Sequence, residues 1–350
     1  MNYLSLLFVF IPISIVLKIM HLSDIFLFAS ACLSIIPLAA LMGKATENLA
    51  GHAGPRVGGF LNATFGNATE LIIAIFALKE GLADVVKASL AGSIIGNILL
   101  VLGFSMFAGG MKYKVQNFNV KASGNSSSLL LFAMIGFAIP AIFLHNVERG
   151  IILEYEGLSI FIASLMLIIY IGAIIFTFIT HKDVLGAEHS EATEIEWSVG
   201  KSVLILILTT IGIAVESEFL VTTIEHVTKS FGWNQMFMGV IILAIIGNAA
   251  EHSTAVVMAV KNKMDISIEI ATGSSLQIAL FVAPVCVFVS LILGKPMSIL
   301  FNDYELAAIG ASVLISNIVS QDGASNWLEG LQLIIIYLII ACSFYFLPAP

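Results

Sequence analysis

Charge is scarce in this chain. Only 11% of its 350 residues are Asp, Glu, Lys or Arg, against roughly 25% in an ordinary soluble domain, which excludes a water-soluble globule. Basic residues are scarcer than acidic ones: 15 Lys and Arg against 23 Asp and Glu leave a formal charge of -8. No basic face is left to neutralise phosphates, so the balance argues against nucleic-acid binding and favours a cationic ligand. The three cysteines, Cys32, Cys286 and Cys342, lie far apart in apolar stretches with no CxxC pairing and no histidine at ligand spacing. That pattern argues against a disulfide framework or a zinc site. Nothing in the chain calls for a cofactor.

What is abundant is hydrocarbon: 59% of the residues are hydrophobic and the mean hydropathy is +1.03. At about 20 apolar residues per helical crossing, or about 30 with connections, there is room for eleven or twelve crossings of a lipid bilayer and for no large aqueous domain. Apolar runs fall at about 4–20, 24–43, 59–78, 84–109, 128–146, 156–180, 199–219, 235–260, 266–293, 304–320 and 327–347. These runs are unbroken and about twice the length of the ~10-residue strands of a membrane barrel. The reading is an all-α membrane protein of eleven transmembrane helices. The first run has no basic segment before it and reads as a retained helix rather than a secretory signal. Nine of the 15 Lys and Arg follow even-numbered spans, which predicts a cytoplasmic N-terminus, an outside C-terminus and a cytoplasmic stretch from His181 to Ser198. The short N-terminus suits a bacterial cytoplasmic membrane.

The chain repeats itself. GNATE at 66–70 recurs as GNAAE at 247–251, an offset of 181, and the same offset aligns Ala63 with Ala244, Ala74 with Ala255, Asp84 with Asp265, and Gly-Ser 92–93 with Gly-Ser 273–274. A fainter match sets Ala-Thr-Glu 45–47 against Glu-Ser-Glu 216–218. Five helices separate the third span from the eighth, and an odd number of crossings reverses direction. The expectation is an inverted repeat: an N-terminal helix at 1–23, a first five-helix repeat at 24–180, a cytoplasmic acidic linker at 181–198 and a second five-helix repeat at 199–350. Inverted repeats recur in secondary transporters, with the site near the midplane on interrupted helices. Gly66 and Gly247 are placed to loosen the helix there.

Glu70 and Glu251 each sit deep in an apolar run, with no Lys or Arg within a turn in the same helix. An ionised carboxylate at that depth is costly. Two of them brought together repel, so the pair must hold protons or a cation, and a divalent ion cancels both charges at once. Ca2+ takes about 6 to 8 oxygens in a flexible shell, and the neighbourhood supplies oxygen donors: Asn67, Thr69, Asn248, Ser93, Ser274, Ser275 and Gln277. A site with two neutral fillings, metal or protons, is an exchanger of one for the other.

These motifs, with GSIIGN at 92–97, GSSLQIA at 273–279, MGKATENL at 42–49, GPRVGGFLNATFGNA at 54–68 and DGASNWLEG at 322–330, resemble the calcium/cation antiporter superfamily, specifically its cation/proton exchanger (CAX) branch. The resemblance covers both halves. It implies a ten-helix inverted-repeat core plus one extra N-terminal helix, with Glu70 and Glu251 as the shared Ca2+ and H+ site of an alternating-access antiporter that exports Ca2+ from the cytoplasm. It also implies gating by the second and seventh helices, with Glu47 and Glu218 as portal relay groups. His252 matches a proton-linked or supporting histidine of the family, although as the helix neighbour of Glu251 it points about 100° away, which equally suits a packing histidine. The GTSxPE/D motif of the sodium-coupled relatives is absent from the sequence.

The linker carries Asp183, Glu188, Glu191, Glu194 and Glu196, and Glu188, Glu191 and Glu194 would share one face of a helix. The resemblance suggests an acidic regulatory helix, and a solvated loop is the simpler reading. Three rivals stay open: exchange of another cation such as Mn2+ or Na+, an intramembrane hydrolase, and a passive channel. The hydrolase would need one acid and one base rather than equivalent copies, and the channel would lack coupling of two fluxes. A homo-oligomer is compatible with the sequence.

Overall fold

In hydrocarbon no water satisfies backbone N–H and C=O groups, so a chain this apolar must close its hydrogen bonds within helices. The computed structural model describes residues 3–145, 152–181 and 195–348, and nearly all of them are helical. A short 3-10 segment, Tyr3–Val9, leads into α1 (Phe10–Ile19). There follow α2 (Asp24–Gly54), α3 (Val57–Lys79), α4 (Ala83–Tyr113), α5 (Val120–Phe143), α6 (Glu156–Thr180), α7 (Val199–Phe231), α8 (Gln235–Gly247), α9 (Ala249–Val260), α10 (Met264–Ile292), α11 (Asp303–Val319) and α12 (Trp327–Phe346).

Among the described residues, eight helices are long and apolar enough to cross a bilayer, and α8 with α9, bent by 61°, make a ninth. The protein is a multi-pass membrane protein. The other two of the eleven expected segments form shorter helices, Ser5–Ile19 and the 17-residue α11. Two helices run well past the bounds expected from their apolar runs: α2 continues from 43 to Gly54, and α7 from 219 to Phe231. The extensions, from Lys44 to His52 and from Thr222 to Lys229, are polar and stay helical, through Gly51 in the first, until Gly54 and Gly232, both at positive φ (79° and 67°). Hydropathy marks where a helix meets hydrocarbon; glycine marks where it ends.

Local chemistry sets the other boundaries. Asn302 and Asn326 each form a capping box with the glutamate three residues on, Glu305 and Glu329, which starts α11 and α12. Asn234 accepts from Phe237 N–H to start α8 and donates to the carbonyls of Phe344 and Leu347, fixing that helix to the end of α12.

Contacts between loops sort the helix ends onto two faces. On one, Lys295 reaches the Lys79 carbonyl, and a cleft is lined by Asp84, Lys87, Asn234, Asn302, Glu305 and Pro348. On the other, Lys112 and Gln116 donate to the carbonyls of Val260 and Ala259, and a two-residue ladder pairs Gln116–Asn117 (β1) with Ala324–Ser325 (β2). The helix pair α8 and α9 therefore runs from the first face to the second, whereas α3 ends on the first. The longest helices, α2 and α7, lie antiparallel and are joined at both ends. Asp24 faces His226 at 3.9 Å, and Asn48 accepts from the N–H groups of Glu196 and Trp197, with Lys44 paired to Glu196 at 2.7 Å.

One apolar core of buried residues runs through α2 to α12. Small residues let α4 and α8 touch: a Cβ on Gly92 would meet the Val240 carbonyl oxygen at 2.1 Å, and one on Gly239 would meet the Ala88 side chain at 2.4 Å. Gly92→Val is expected to force these backbones apart and to destabilise the protein by about 1–3 kcal/mol. Thermal unfolding in detergent measures this; a midpoint equal to that of the unsubstituted chain would contradict the close approach.

Candidate functional site

The two sequence repeats are two broken helices. In α3 the helix breaks at Asn67 (φ -103°, ψ 29°), and at the junction of α8 and α9 it breaks at Asn248 (φ -98°, ψ 6°). The break falls one residue after the glycine in each case. The half-helices that follow, Ala68–Lys79 and Ala249–Val260, carry Glu70 and Glu251 in their first turns. A helix start presents unpaired N–H groups and the positive end of the helix dipole, so each acid sits where negative charge is most readily held in a membrane interior.

Beside them, α4 and α10 widen into π-type turns at Gly96–Val101 and Ile278–Val282, directly after the segments that carry Ser93 and Ser274. Such wide turns are frequent at functional sites.

The side chains cross over between the halves. Asn248 donates through Nδ2 to Ser93 Oγ at 2.8 Å, and Ser274 Oγ lies 2.8 Å from Asn67 Oδ1. Each asparagine therefore engages the serine of the opposite repeat. Asn67 Nδ2 donates to Gln277 Oε1, and Asn97 Nδ2 donates to Asn248 Oδ1 at 3.3 Å. Ser274 Oγ is also 2.8 Å from Glu251 Oε2. Glu70 packs against Gly247, whose missing side chain leaves it room: a Cβ there would lie 3.4 Å from Glu70 Cγ. Glu70 and Glu251 are within electrostatic reach of each other.

The two acids are not equally placed. Glu70 is 7% exposed, and among the described residues neither of its oxygens has a hydrogen-bond partner, whereas Glu251 is half-buried. A buried carboxyl with no partner on either oxygen is a position that calls for a ligand.

Seven expected site residues thus form one cluster of two hydrogen-bonded groups, Asn67 with Ser274, Glu251 and Gln277, and Ser93 with Asn248, while Glu70 lies against Gly247 without a hydrogen bond. Ser275 is not part of it, since its hydroxyl donates to the Ala271 carbonyl of its own helix. His252 joins through a side branch, its Nε2 lying 3.1 Å from Asn97 Oδ1. Glu47 and Glu218 are exposed on α2 and α7 and outside the network. Glu188, Glu191 and Glu194 lie outside the described residues. Sequence reasoning missed Asn97 as a site residue. The signal was present, because GSIIGN ends on it, but a rigid offset of 181 sets Asn97 against Ile278 and Gln277 against Gly96. The two amides occupy corresponding roles one residue out of step.

Among the described residues no group of three or more His, Cys, Asp or Glu gathers as a metal centre. The site instead combines two carboxyls with neutral amide and hydroxyl oxygens, a donor set for a hard cation.

Residues 23–179 and 201–346 match the family model described as sodium/calcium exchanger protein. The chain is 48% identical over 342 residues to the Ca(2+)/H(+) antiporter ChaA of Bacillus subtilis, covering 96% of this chain and 97% of that protein. It is 46% identical over 362 residues to a Ca(2+)/H(+) antiporter of Aphanothece halophytica, covering 98% of this chain and 96% of that one. Among solved structures it resembles native YfkE, with a TM-score of 0.87 and 43% identity over 99% of this chain and 100% of that one. A structure titled H+/Ca2+ exchanger CAX, at 12% identity and a TM-score of 0.74 over 98% of this chain and 91% of that one, shares the fold.

The network makes the two neighbouring serines of α10 separable. Ser274→Ala, which removes the hydroxyl between Asn67 and Glu251, is expected to weaken equilibrium binding of radioactive calcium about tenfold, or ~1.4 kcal/mol. Ser275→Ala should leave it unchanged. Equal effects of the two substitutions would contradict the geometry.

Proposed function

The chain belongs to the sodium/calcium exchanger family, and from that premise we propose that it is a secondary active antiporter exporting Ca2+ from the cytoplasm in exchange for H+ at a site shared between Glu70 and Glu251. Its relatives are named as antiporters and exchangers, and it is a secondary transporter rather than an enzyme. Ca2+ and H+ are its substrates, and no cofactor takes part.

The observation that carries the reading is the pair of carboxyls at the starts of two broken helices, one of them buried with both oxygens unpartnered. Such a group is stable only when its charge is cancelled. Proton counting around Ser274 supports the protonated filling in this conformation. The hydroxyl faces two acceptors at 2.8 Å, Asn67 Oδ1 and Glu251 Oε2, but has one hydrogen to give. With that hydrogen on Asn67, the second contact is satisfied when Glu251 brings its own proton. Entry of Ca2+ replaces those protons with a doubly charged ion bound by both carboxylates, Asn67, Asn248, Ser93, Ser274 and Gln277, and Asn97 and His252 hold Asn248 in place. The empty, doubly ionised site is the costly state, so the two fluxes are coupled.

We read the architecture as eleven crossings: α1, then two five-helix repeats of opposite orientation on either side of the linker. The opposed courses of α3 and of α8 with α9 support this reading, as do the reciprocal Asn–Ser contacts. Alternating access is supported by the unequal exposure of the two acids, since the pair is reached by way of Glu251 while Glu70 is closed off. The joined antiparallel helices α2 and α7 are the movable element, with Glu47 and Glu218 on their exposed faces as relay groups. Loop charge supports insertion in a bacterial cell membrane with a cytoplasmic N-terminus, an outside C-terminus and a cytoplasmic linker, and Glu188, Glu191 and Glu194 make that linker a regulatory acidic segment.

Purified protein in sealed vesicles tests the exchange. Uptake of radioactive calcium should require an imposed pH gradient and collapse with a protonophore. Glu70→Gln and Glu251→Gln should each abolish uptake in folded, inserted protein. Normal transport by either variant would remove the shared site.

A further inference from the structure

A third acid lies in the membrane interior, outside the exchange network. Glu216 sits near the middle of α7 and is 1% exposed. It meets Ser14 of α1 and Ser34 of α2 where these three helices pack, beside an apolar group that includes Leu38, Met42 and Ile213. Its Oε1 is 2.6 Å from Ser14 Oγ, and its Oε2 has no hydrogen-bond partner among the described residues.

The hydrogens do not suffice for an ionised Glu216. Ser14 Oγ lies 2.7 Å from the Ile11 carbonyl as well as 2.6 Å from Glu216, and Ser34 Oγ donates to the Ser30 carbonyl at 2.9 Å. A hydroxyl has one hydrogen to donate. If Ser14 keeps its bond to Ile11, the contact to Glu216 requires a hydrogen from the carboxyl. If Ser14 turns to an ionised Glu216, the Ile11 carbonyl loses its partner and a buried carboxylate is left with one bare oxygen.

Among the described residues no counter-charge pairs with Glu216. Lys18, one turn beyond Ser14 on α1, lies over the Phe219 ring at 5.7 Å. On α2, Asp24 faces His226 and Lys44 pairs with Glu196, while Glu47 is exposed. On α7 itself Glu218 is exposed and Glu225 faces Lys229 at 3.7 Å. On the adjoining half of α3, Glu70 is turned to Gly247. One carboxyl and two hydroxyls also fall short of the about 6 oxygens that Ca2+ requires.

We propose that Glu216 is a proton-binding site separate from the exchange pair, and that its carboxylic acid fastens the N-terminal helix to α7. Glu216 donates its proton to Ser14, and Ser14 donates to the Ile11 carbonyl. On deprotonation the proton leaves to water, Ser14 rotates its hydrogen to the carboxylate, and the Ile11 bond is given up. The N-terminal helix is then held to the movable helix by an acid that is loosened at alkaline pH.

Infrared spectroscopy reads the protonated carboxyl directly. The E70Q/E251Q double variant removes the exchange pair, and its spectrum at neutral pH should show a carboxylic-acid stretching band that the E70Q/E251Q/E216Q triple variant lacks. Alkaline titration should abolish that band in the double variant, and Ser14→Ala in the same background should shift its frequency by removing the hydrogen-bond partner. Identical carboxyl regions in the double and triple variants, or a band insensitive to Ser14→Ala, would overturn the proposal. With the exchange pair intact, Glu216→Gln should retain proton-driven calcium uptake. Its complete loss in folded protein would place Glu216 in the exchange path and overturn the claim that it is a separate site.

Discussion

A carboxyl group surrounded by packed protein and hydrocarbon has few stable conditions. It can hold a proton, face a fixed cation, or share a mobile one, and among the described residues no Lys or Arg pairs with Glu70 or Glu251, which removes the second. The local architecture follows from what remains. The helices break at Asn67 and Asn248 so that each acid falls in the first turn of a half-helix, where unpaired N–H groups favour negative charge. Gly247 leaves the volume that Glu70 fills, and π-type turns in α4 and α10 lie alongside. Each feature would weaken an ordinary membrane helix, and together they build one polar pocket in a tightly packed core.

The pocket is close to symmetric in its bonds and unsymmetric in its exposure. The contacts Ser93–Asn248 and Ser274–Asn67 pair the same residue types across the two halves, with Asn248 donating in the first and Ser274 donating in the second. Two departures separate them. The amide that supports each asparagine sits at different repeat positions, Asn97 in one half and Gln277 in the other, and His252 has Leu71 as its counterpart. A site whose halves were identical in every contact would have no reason to open preferentially on one side. The side branch from His252 through Asn97 to Asn248 joins the two halves at the second asparagine, and Leu71 gives the first no equivalent of His252.

Much of this was legible in the sequence because repetition is a strong signal. GNATE and GNAAE, with the Gly-Ser pairs at the same offset, named the two acids, both asparagines and both serines before any contact was known. Asn97 escaped because a wide helical turn lets a side chain one position further along reach the same place, and a fixed offset is blind to that. Glu216 escaped for a different reason. Its significance lies in Ser14 and Ser34, which belong to other helices, and no spacing within α7 reveals them. The full lengths of α2 and α7 were hidden by polar extensions that hydropathy counts as loop. The linker acids Glu188, Glu191 and Glu194 were legible as one face of a helix by their spacing, and they lie outside the described residues.

Whether metal and protons compete for the same carboxyls can be measured at equilibrium, without transport. Calcium binding to the purified protein should be followed by calorimetry in buffers of differing ionisation enthalpy at a single pH. If the ion takes the place of protons on Glu70 and Glu251, the apparent binding enthalpy will vary linearly with the buffer enthalpy, with a slope that gives the protons released per ion. Saturable binding with a slope of zero would mean that the ion enters without displacing a proton, and the shared-site explanation would fail.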